Sequence, residues 1–302
     1  MKLLLIVLAS VTGLAIIAEI GLRLTTGLGN PPLYIADREI GYLLAPNQKL
    51  RRFGNTIATN QYSMRSRDIE PLSDRTRIML LGDSVVNGSW RTDQSETLDR
   101  LLAERLQDNS AVETLNASAN SWGPRNELAY LKRFGLFDAD VLVLIINTDD
   151  LFATKPTSLA VGTSSYPDRP PALALVELYQ LFIAPPQVIP ELEQLEPVPE
   201  ERLEQNLAAI AEIEAIAEAS DTKFVLVLTP LLREFESGST ENELAARKAL
   251  QELVTAENIT YIDLLGVWAD FPQPEFLYRD RIHPSPQGNT KSIEAIAEQL
   301  VD

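Results

Sequence analysis

An α/β fold on a parallel sheet is what this sequence predicts, from three observations. Apolar runs of strand length alternate with stretches whose apolar residues recur at helical spacing, the order of βαβ units. The most apolar runs, Ile78 to Leu81 and Val141 to Ile146, lack polar alternation, as strands covered on both faces do. The hydrophobic content of 45% is enough for a sizeable core in one large domain or one domain with an insertion.

Taken in order, the chain opens on Met1 and Lys2 and then an uncharged run from Leu3 to Ala18. Extended through Glu19 to Leu22 it reaches the ~20 residues that cross a bilayer, with Glu19 near one interface where a carboxylate is tolerable. A cleaved signal peptide is the competing reading, but Glu19, Ile20, Leu22 and Arg23 crowd the place where a small-x-small site would fall. The expectation is an uncleaved transmembrane anchor over residues 1–24, touching membrane through residues 3–22, with the rest of the chain outside the cytoplasm.

Residues 25–75 carry Gly, Pro and Asn punctuation between short apolar runs, which predicts turns and small strands in a membrane-proximal lead-in. Its cluster Lys49, Arg51 and Arg52 reads as a solvated face, with lipid headgroups as the alternative contact.

Residues 76–302 form the main domain. Strands are expected at Arg77–Leu81, Val112–Leu115, Val141–Ile146, Lys223–Leu228 and Ile259–Leu264. Helices are expected at Thr97–Leu106, Arg125–Phe134 behind Pro124, Glu200–Ser220, Asn242–Ala256, and from Ser285 or Gln287 to Leu300. Between them, residues 151–199 hold many of the 19 prolines and one short apolar helix, LVELYQLFI. A Pro-rich insertion beside a sheet edge suits a lid or docking surface, bringing Leu178, Tyr179, Leu181 and Phe182 near an acyl site or the membrane. A helix that merely extends the core is the alternative.

Charge and composition narrow the function. A net charge of −17 repels phosphates and so argues against nucleic acid or anionic lipid as partners, and a neutral or acyl-bearing substrate fits better. The absence of cysteine decides little about compartment.

Two stretches carry chemistry. In RIMLLGDSVVNG an apolar strand stops at a Gly-Asp-Ser turn before a helix-compatible segment. This puts the Ser84 hydroxyl at the carboxyl edge of the sheet, where backbone N–H groups can face developing negative charge. Helix capping is the plainer role for such a serine. The single histidine of the chain, His283, follows Asp280 by three residues in YRDRIHP. An imidazole can serve as the base for a serine, and a carboxylate can hold its tautomer. Asp83 is expected to hydrogen-bond the local backbone.

GDSVVNG and DRIHP resemble the first and last motif blocks of the SGNH (GDSL) hydrolase superfamily, over a stretch running from Arg77 to the C-terminus. The resemblance implies a flavodoxin-like three-layer α/β/α fold, a parallel sheet of about five strands, and cleavage or transfer of ester-linked acyl groups, with Ser84, His283 and Asp280 as the catalytic residues. EIGYLLAPN and TNQYSMR also look like stretches of membrane-tethered members. The second block, NASANSWGP, starts as the family's does at Asn116 but has Ser121 where the oxyanion-holding Gly falls; Ser121 keeps an N–H to donate if its backbone does not need a positive φ, and Gly123 is the substitute. In the third block Asn147 aligns with the family's Gly and Asp149 with its Asn. An ionised Asp149 would oppose an oxyanion, so Asn147 is the expected donor there. Without the resemblance, NTDDL reads as a strand end capping the next helix. Asp149 and Asp150 as metal ligands would need a second acidic or histidine cluster, which the sequence lacks.

The reading is thus an extracytoplasmic serine esterase acting on an acyl ester, such as an O-acetylated glycan or a small acyl ester, with no cofactor and no metal. An O-acyltransferase of envelope polysaccharide is the alternative within the enzyme class. A catalytically inactive, membrane-tethered assembly or binding protein is the alternative outside it.

Overall fold

The computed structural model describes residues 1–69, 75–107, 111–185, 187–196 and 198–301. It opens with helix α1 (Lys2–Thr26), which ends at the left-handed Gly27, two residues beyond the expected limit of the anchor. The lead-in forms two antiparallel hairpins, β1 (Tyr34–Asp37) with β2 (Gly41–Leu44), and β3 (Lys49–Arg52) with β4 (Asn55–Ala58).

The main domain follows as β5 (Thr76–Gly82), α2 (Ser84–Asn87), α3 (Leu98–Leu106), β6 (Val112–Ser118), α4 (Pro124–Phe134) and β7 (Val141–Asn147). The insertion contributes α5 (Ala174–Phe182) and α6 (Pro190–Leu195). The chain then completes α7 (Pro199–Ala219), β8 (Lys223–Thr229), α8 (Leu232–Glu236), α9 (Glu241–Ala256), β9 (Thr260–Asp263), α10 (Leu264–Ala269) and α11 (Pro286–Val301).

All pairings among β5 to β9 are parallel, in the order β6-β5-β7-β8-β9, which is that of a flavodoxin-like sheet. Period-two alternation divides the core. Met79, Leu81, Leu142, Leu144 and Ile146 face one layer with α4, α7 and α9, while Ile78, Leu80, Val143 and Ile145 face the other with α3, α10 and α11. Both faces are therefore covered, which is why these runs read as continuous apolar segments rather than alternating ones.

The fifth strand is shorter than expected. Asp263 ends it because its carboxylate accepts the N–H of Leu265 at 3.0 Å and starts α10.

The lead-in is bound into the domain by buried arginines. Arg65 is wholly buried and donates to the carbonyls of Asn87, Ser89 and Thr92, while its own N–H donates to the Asn116 carbonyl at 2.9 Å. Arg52 corrects the solvated-face reading of its cluster: it is 1% exposed and pairs with Glu177 of α5 at 2.7 Å, whereas Lys49 and Arg51 are exposed as expected. The Pro-rich insertion is thus fastened to the lead-in through a buried ion pair rather than packed as more core.

Candidate active site

Three neighbouring strands, β6, β5 and β7, each deliver one part of the site at their carboxyl ends. β5 stops at Gly82, where an added Cβ would lie 2.4 Å from the Ile145 carbonyl and 2.5 Å from the Val86 side chain. Only glycine lets the chain turn this tightly against β7. Asp83 then caps α2, its Oδ1 accepting the Val85 N–H at 2.7 Å as its expected local role requires. That turn points Ser84 outward, half-buried, on the first residue of the short helix.

His283 arrives from the loop before α11. Its Nε2 lies 2.9 Å from Ser84 Oγ, joining residues 199 apart in the chain. Its Nδ1 lies 2.8 Å and 3.0 Å from the two Asp280 oxygens. Asp280 Oδ1 also accepts the backbone N–H groups of His283 at 2.9 Å and Ile282 at 3.1 Å. Burial alone would raise the Asp280 carboxyl, but these N–H groups and the imidazole beside it hold it below the usual carboxylate range. An ionised Asp280 on Nδ1 requires the proton there, which leaves Nε2 as the acceptor facing the serine.

The side opposite the imidazole differs from expectation. Ser121 adopts φ 57, so the position does need the left-handed backbone that suits the glycine found there in the resembling family. A non-glycine residue in that region costs on the order of 1–2 kcal/mol. The Ser121 hydroxyl offsets part of this by accepting from Tyr166 O–H at 2.8 Å, and Tyr42 O–H donates to the adjacent Asn120 carbonyl at 2.6 Å. Ser121 lies beside Ser84 in the cleft, and its N–H finds no acceptor among the described residues.

Gly123 does not meet the expectation set for it. Its N–H donates to Asn126 Oδ1 at 3.1 Å at the start of α4, and it lines neither of the cavities at Ser84. Asn147 does reach the cleft, but one amide N–H donates to Asp83 Oδ2 at 3.0 Å, which leaves the second free to donate. Asp149 and Asp150 diverge. Asp149 pairs with Arg233 at 2.7 Å, and Asp150 is buried, accepting the Asn147 backbone N–H at 2.8 Å.

A buried acidic group underlies this half. Burial raises the Asp83 carboxyl despite the Val85 N–H and the nearby imidazole, and burial followed by the charge of Asp83 raises Asp150 and Glu127 well above the usual range. Both Glu127 oxygens lack a hydrogen-bond partner among the described residues. The same burial disfavours the charged form of each of these carboxyls beneath the cleft.

Two cavities meet at Ser84. One, of about 290 Å³, runs between lead-in and insertion past Pro31, Leu44, Ile57, Trp90 and Leu181. The other, of about 430 Å³, has Asn126, Asp149, Lys155 and Thr157 in its wall beside Ala153, Ala160 and Leu192. Sequence reasoning missed Tyr42, Tyr166, Trp90 and Arg52. Trp90 and Tyr166 lie in polar stretches with no motif, while the buried partners of Tyr42 and Arg52 belong to segments distant in sequence.

The GDSL-like Lipase/Acylhydrolase family model matches residues 80–291. Among solved structures the chain is similar to a lipase/acylhydrolase from Enterococcus faecalis (18% identity, 74% of this chain and 95% of that one, TM-score 0.47). It is also similar to an acetyl-xylooligosaccharide esterase from Geobacillus Stearmophilus (12%, 76% and 96%, TM-score 0.49). A lipolytic protein of the G-D-S-L family from Veillonella parvula is a third (12%, 75% and 97%, TM-score 0.46). No curated protein matches the sequence.

Proposed function

Because the chain belongs to the GDSL-like lipase/acylhydrolase family, we propose that it is a membrane-anchored serine esterase working through an acyl-serine intermediate, with its domain on the extracytoplasmic side. The observation that carries this is the 2.9 Å approach of His283 Nε2 to Ser84 Oγ with Asp280 behind the ring.

His283 takes the Ser84 proton as the hydroxyl oxygen attacks the ester carbonyl, and Asp280 stabilises the imidazolium. The tetrahedral oxyanion is held by the backbone N–H groups of Ser84 and Ser121 and by the free Asn147 amide N–H. Collapse expels the alcohol, which receives the proton from His283 and leaves an acyl-Ser84 ester. Water, deprotonated by the same imidazole, then releases the acid and restores the serine.

The two cavities suggest how an ester lies across the site. The acyl group fits the Leu44, Ile57 and Leu181 side, and a hydroxylated alcohol such as a sugar fits the Asn126, Lys155 and Thr157 side. On this reading residues 1–24 anchor, 25–75 are a membrane-proximal lead-in that supplies Pro31, Leu44 and Ile57 to the cleft wall, and 76–302 carry the chemistry. Helix α1, with mean hydropathy 2.5 over its best window, is long and apolar enough to cross a membrane.

The test is a serine-directed fluorophosphonate on the full chain in detergent, beside a panel of acyl esters. Wild type should label and hydrolyse, and Ser84→Ala should do neither. A folded wild type that resists the probe would favour the binding-protein alternative.

A further inference from the structure

The site uses the inner face of α5 and leaves the outer face uncovered. Inward lie Ala174, Glu177, Leu178 and Leu181, with Glu177 and Leu181 in the cleft wall. Glu177, the one charge of the helix, is turned inward onto Arg52. Outward lie Leu173, Val176, Tyr179, Phe182 and Ile183, with Gln180 the only non-aromatic polar side chain among them. Tyr179, Phe182 and Ile183 are 53%, 58% and 70% exposed. A surface helix in water carries charge on such a face, and a contiguous apolar patch marks an interaction surface.

Its position identifies what covers it. α5 begins against α1: Glu19 accepts the N–H groups of Ala174 at 2.8 Å and Leu175 at 3.0 Å, and Arg23 donates to the Ala172 carbonyl at 3.1 Å. Glu19 and Arg23 are the first charges after the uncharged run Leu3 to Ala18. They therefore mark the depth at which hydrocarbon gives way to headgroups, and α5 starts at that depth. From there the patch continues without a break. Phe182 meets Phe53 at 6.3 Å, Phe53 meets Trp90 at 5.0 Å, and Arg91 lies over Trp90 at 5.0 Å. Arg51 and Arg91 are exposed at its rim, local cations on a chain of net charge −17.

We propose that the outer face of α5, with Phe53 and Trp90, beds into the interface of the bilayer crossed by α1, so that the cleft at Ser84 opens at the membrane surface and receives an amphipathic ester. Aromatic side chains on one side and arginines at the rim are the composition that this layer favours. The bedding itself needs only α1 and α5; the nature of the substrate rests on the esterase reading above.

The chain has no cysteine, so single labels are clean. The full chain carrying Tyr179→Cys or Phe182→Cys, spin-labelled in vesicles of phosphatidylcholine and phosphatidylglycerol, should collide with oxygen in preference to a water-soluble nickel chelate. Val267→Cys, exposed on α10 next to the edge strand β9 and outside the patch, should show the reverse. Aqueous accessibility at all three positions overturns the proposal. So does spin–spin broadening at 179 and 182 that disappears on dilution with unlabelled protein, since that assigns the face to a second copy.

For the substrate, the double variant Tyr179→Ser/Phe182→Ser should lose about tenfold on a bilayer-embedded long-chain ester while staying within about twofold on p-nitrophenyl acetate, because only the first depends on bedding. Equal loss on both, or loss on neither, overturns the substrate half. A wild type that hydrolyses neither ester overturns the esterase reading and the substrate half with it, while the collision measurements still decide the bedding.

Discussion

The two halves of the cleft around Ser84 are built in opposite ways. The acid–base half is local: Asp280 and His283 stand on one loop, and the carboxylate that orients the ring also accepts two N–H groups of the same turn. The oxyanion half is assembled from three strand ends and held by distant side chains, Tyr42 from the lead-in and Tyr166 from the insertion among them. A local device survives in a short sequence motif. A distributed one can drift in sequence while its geometry is kept by other residues.

The sharpest way to break this comparison is in the local half. Asp280→Asn should keep the fold and lower ester hydrolysis on the order of 10³- to 10⁴-fold, because the ring loses its tautomer. It is read as kcat/KM against the Ser84→Ala background. If the loss is only a few-fold, the carboxylate does not orient the ring.

In the distributed half each donor should matter less. Asn147→Ala should cost about 10²- to 10³-fold in kcat if its free N–H meets the oxyanion, with KM little changed. A normal kcat would assign this amide to supporting Asp83 alone.

Smaller still is the expected effect at the left-handed residue. Ser121→Gly should retain kcat within about threefold, as relief of strain offsets the lost Tyr166 bond. Ser121→Val, β-branched at φ 57, should lower stability by about 2 kcal/mol or more in urea unfolding. Equal behaviour of the two variants would remove the backbone from the explanation.

The smallest effect on activity, and a distinct one on stability, belongs to Glu127. Its folded pKa is raised by burial and by Asp83, so the folded chain holds a proton that the unfolded chain releases above the ordinary carboxylate value. Stability should therefore fall as pH rises from about 4.3 towards the raised folded value, and recover on acidification through the same window. Glu127→Gln should flatten that slope and raise stability near neutral pH by about 1–3 kcal/mol, measured as the urea midpoint across pH. An unchanged slope would place the effect on Asp83 and Asp150 instead.

The same contrast explains what was legible in the sequence. The most buried strands followed from uninterrupted apolar runs such as Val141 to Ile146, because a sheet covered on both sides leaves that pattern. Ser84, Asp280 and His283 lie within contact of one another, as the resemblance of GDSVVNG and DRIHP to two family motif blocks implied, whereas the strand-ending turn alone was equally open to helix capping. Asn147 and Ser121 reached the cleft, but NASANSWGP did not reveal the positive φ of Ser121 or its hydroxyl's partner, Tyr166, about forty-five residues away. Gly123 was misjudged for a similar reason: the Asn126 side chain that takes its N–H belongs to a helix start, which glycine before proline equally announces. Arg52 looked like part of a basic surface because its partner, Glu177, lies in another segment altogether.

The hold of Arg65 and Ser66 on Asn116 has a practical consequence for anyone shortening this chain. β6 is an outermost strand, and the Asn116 N–H donates to Ser66 Oγ at 2.6 Å while its carbonyl accepts from Arg65. Cutting the protein at the start of the sheet to obtain a soluble form would strip this cover and leave a bare strand ready to template pairing with other molecules. A truncation begun just after α1 keeps the guard in place.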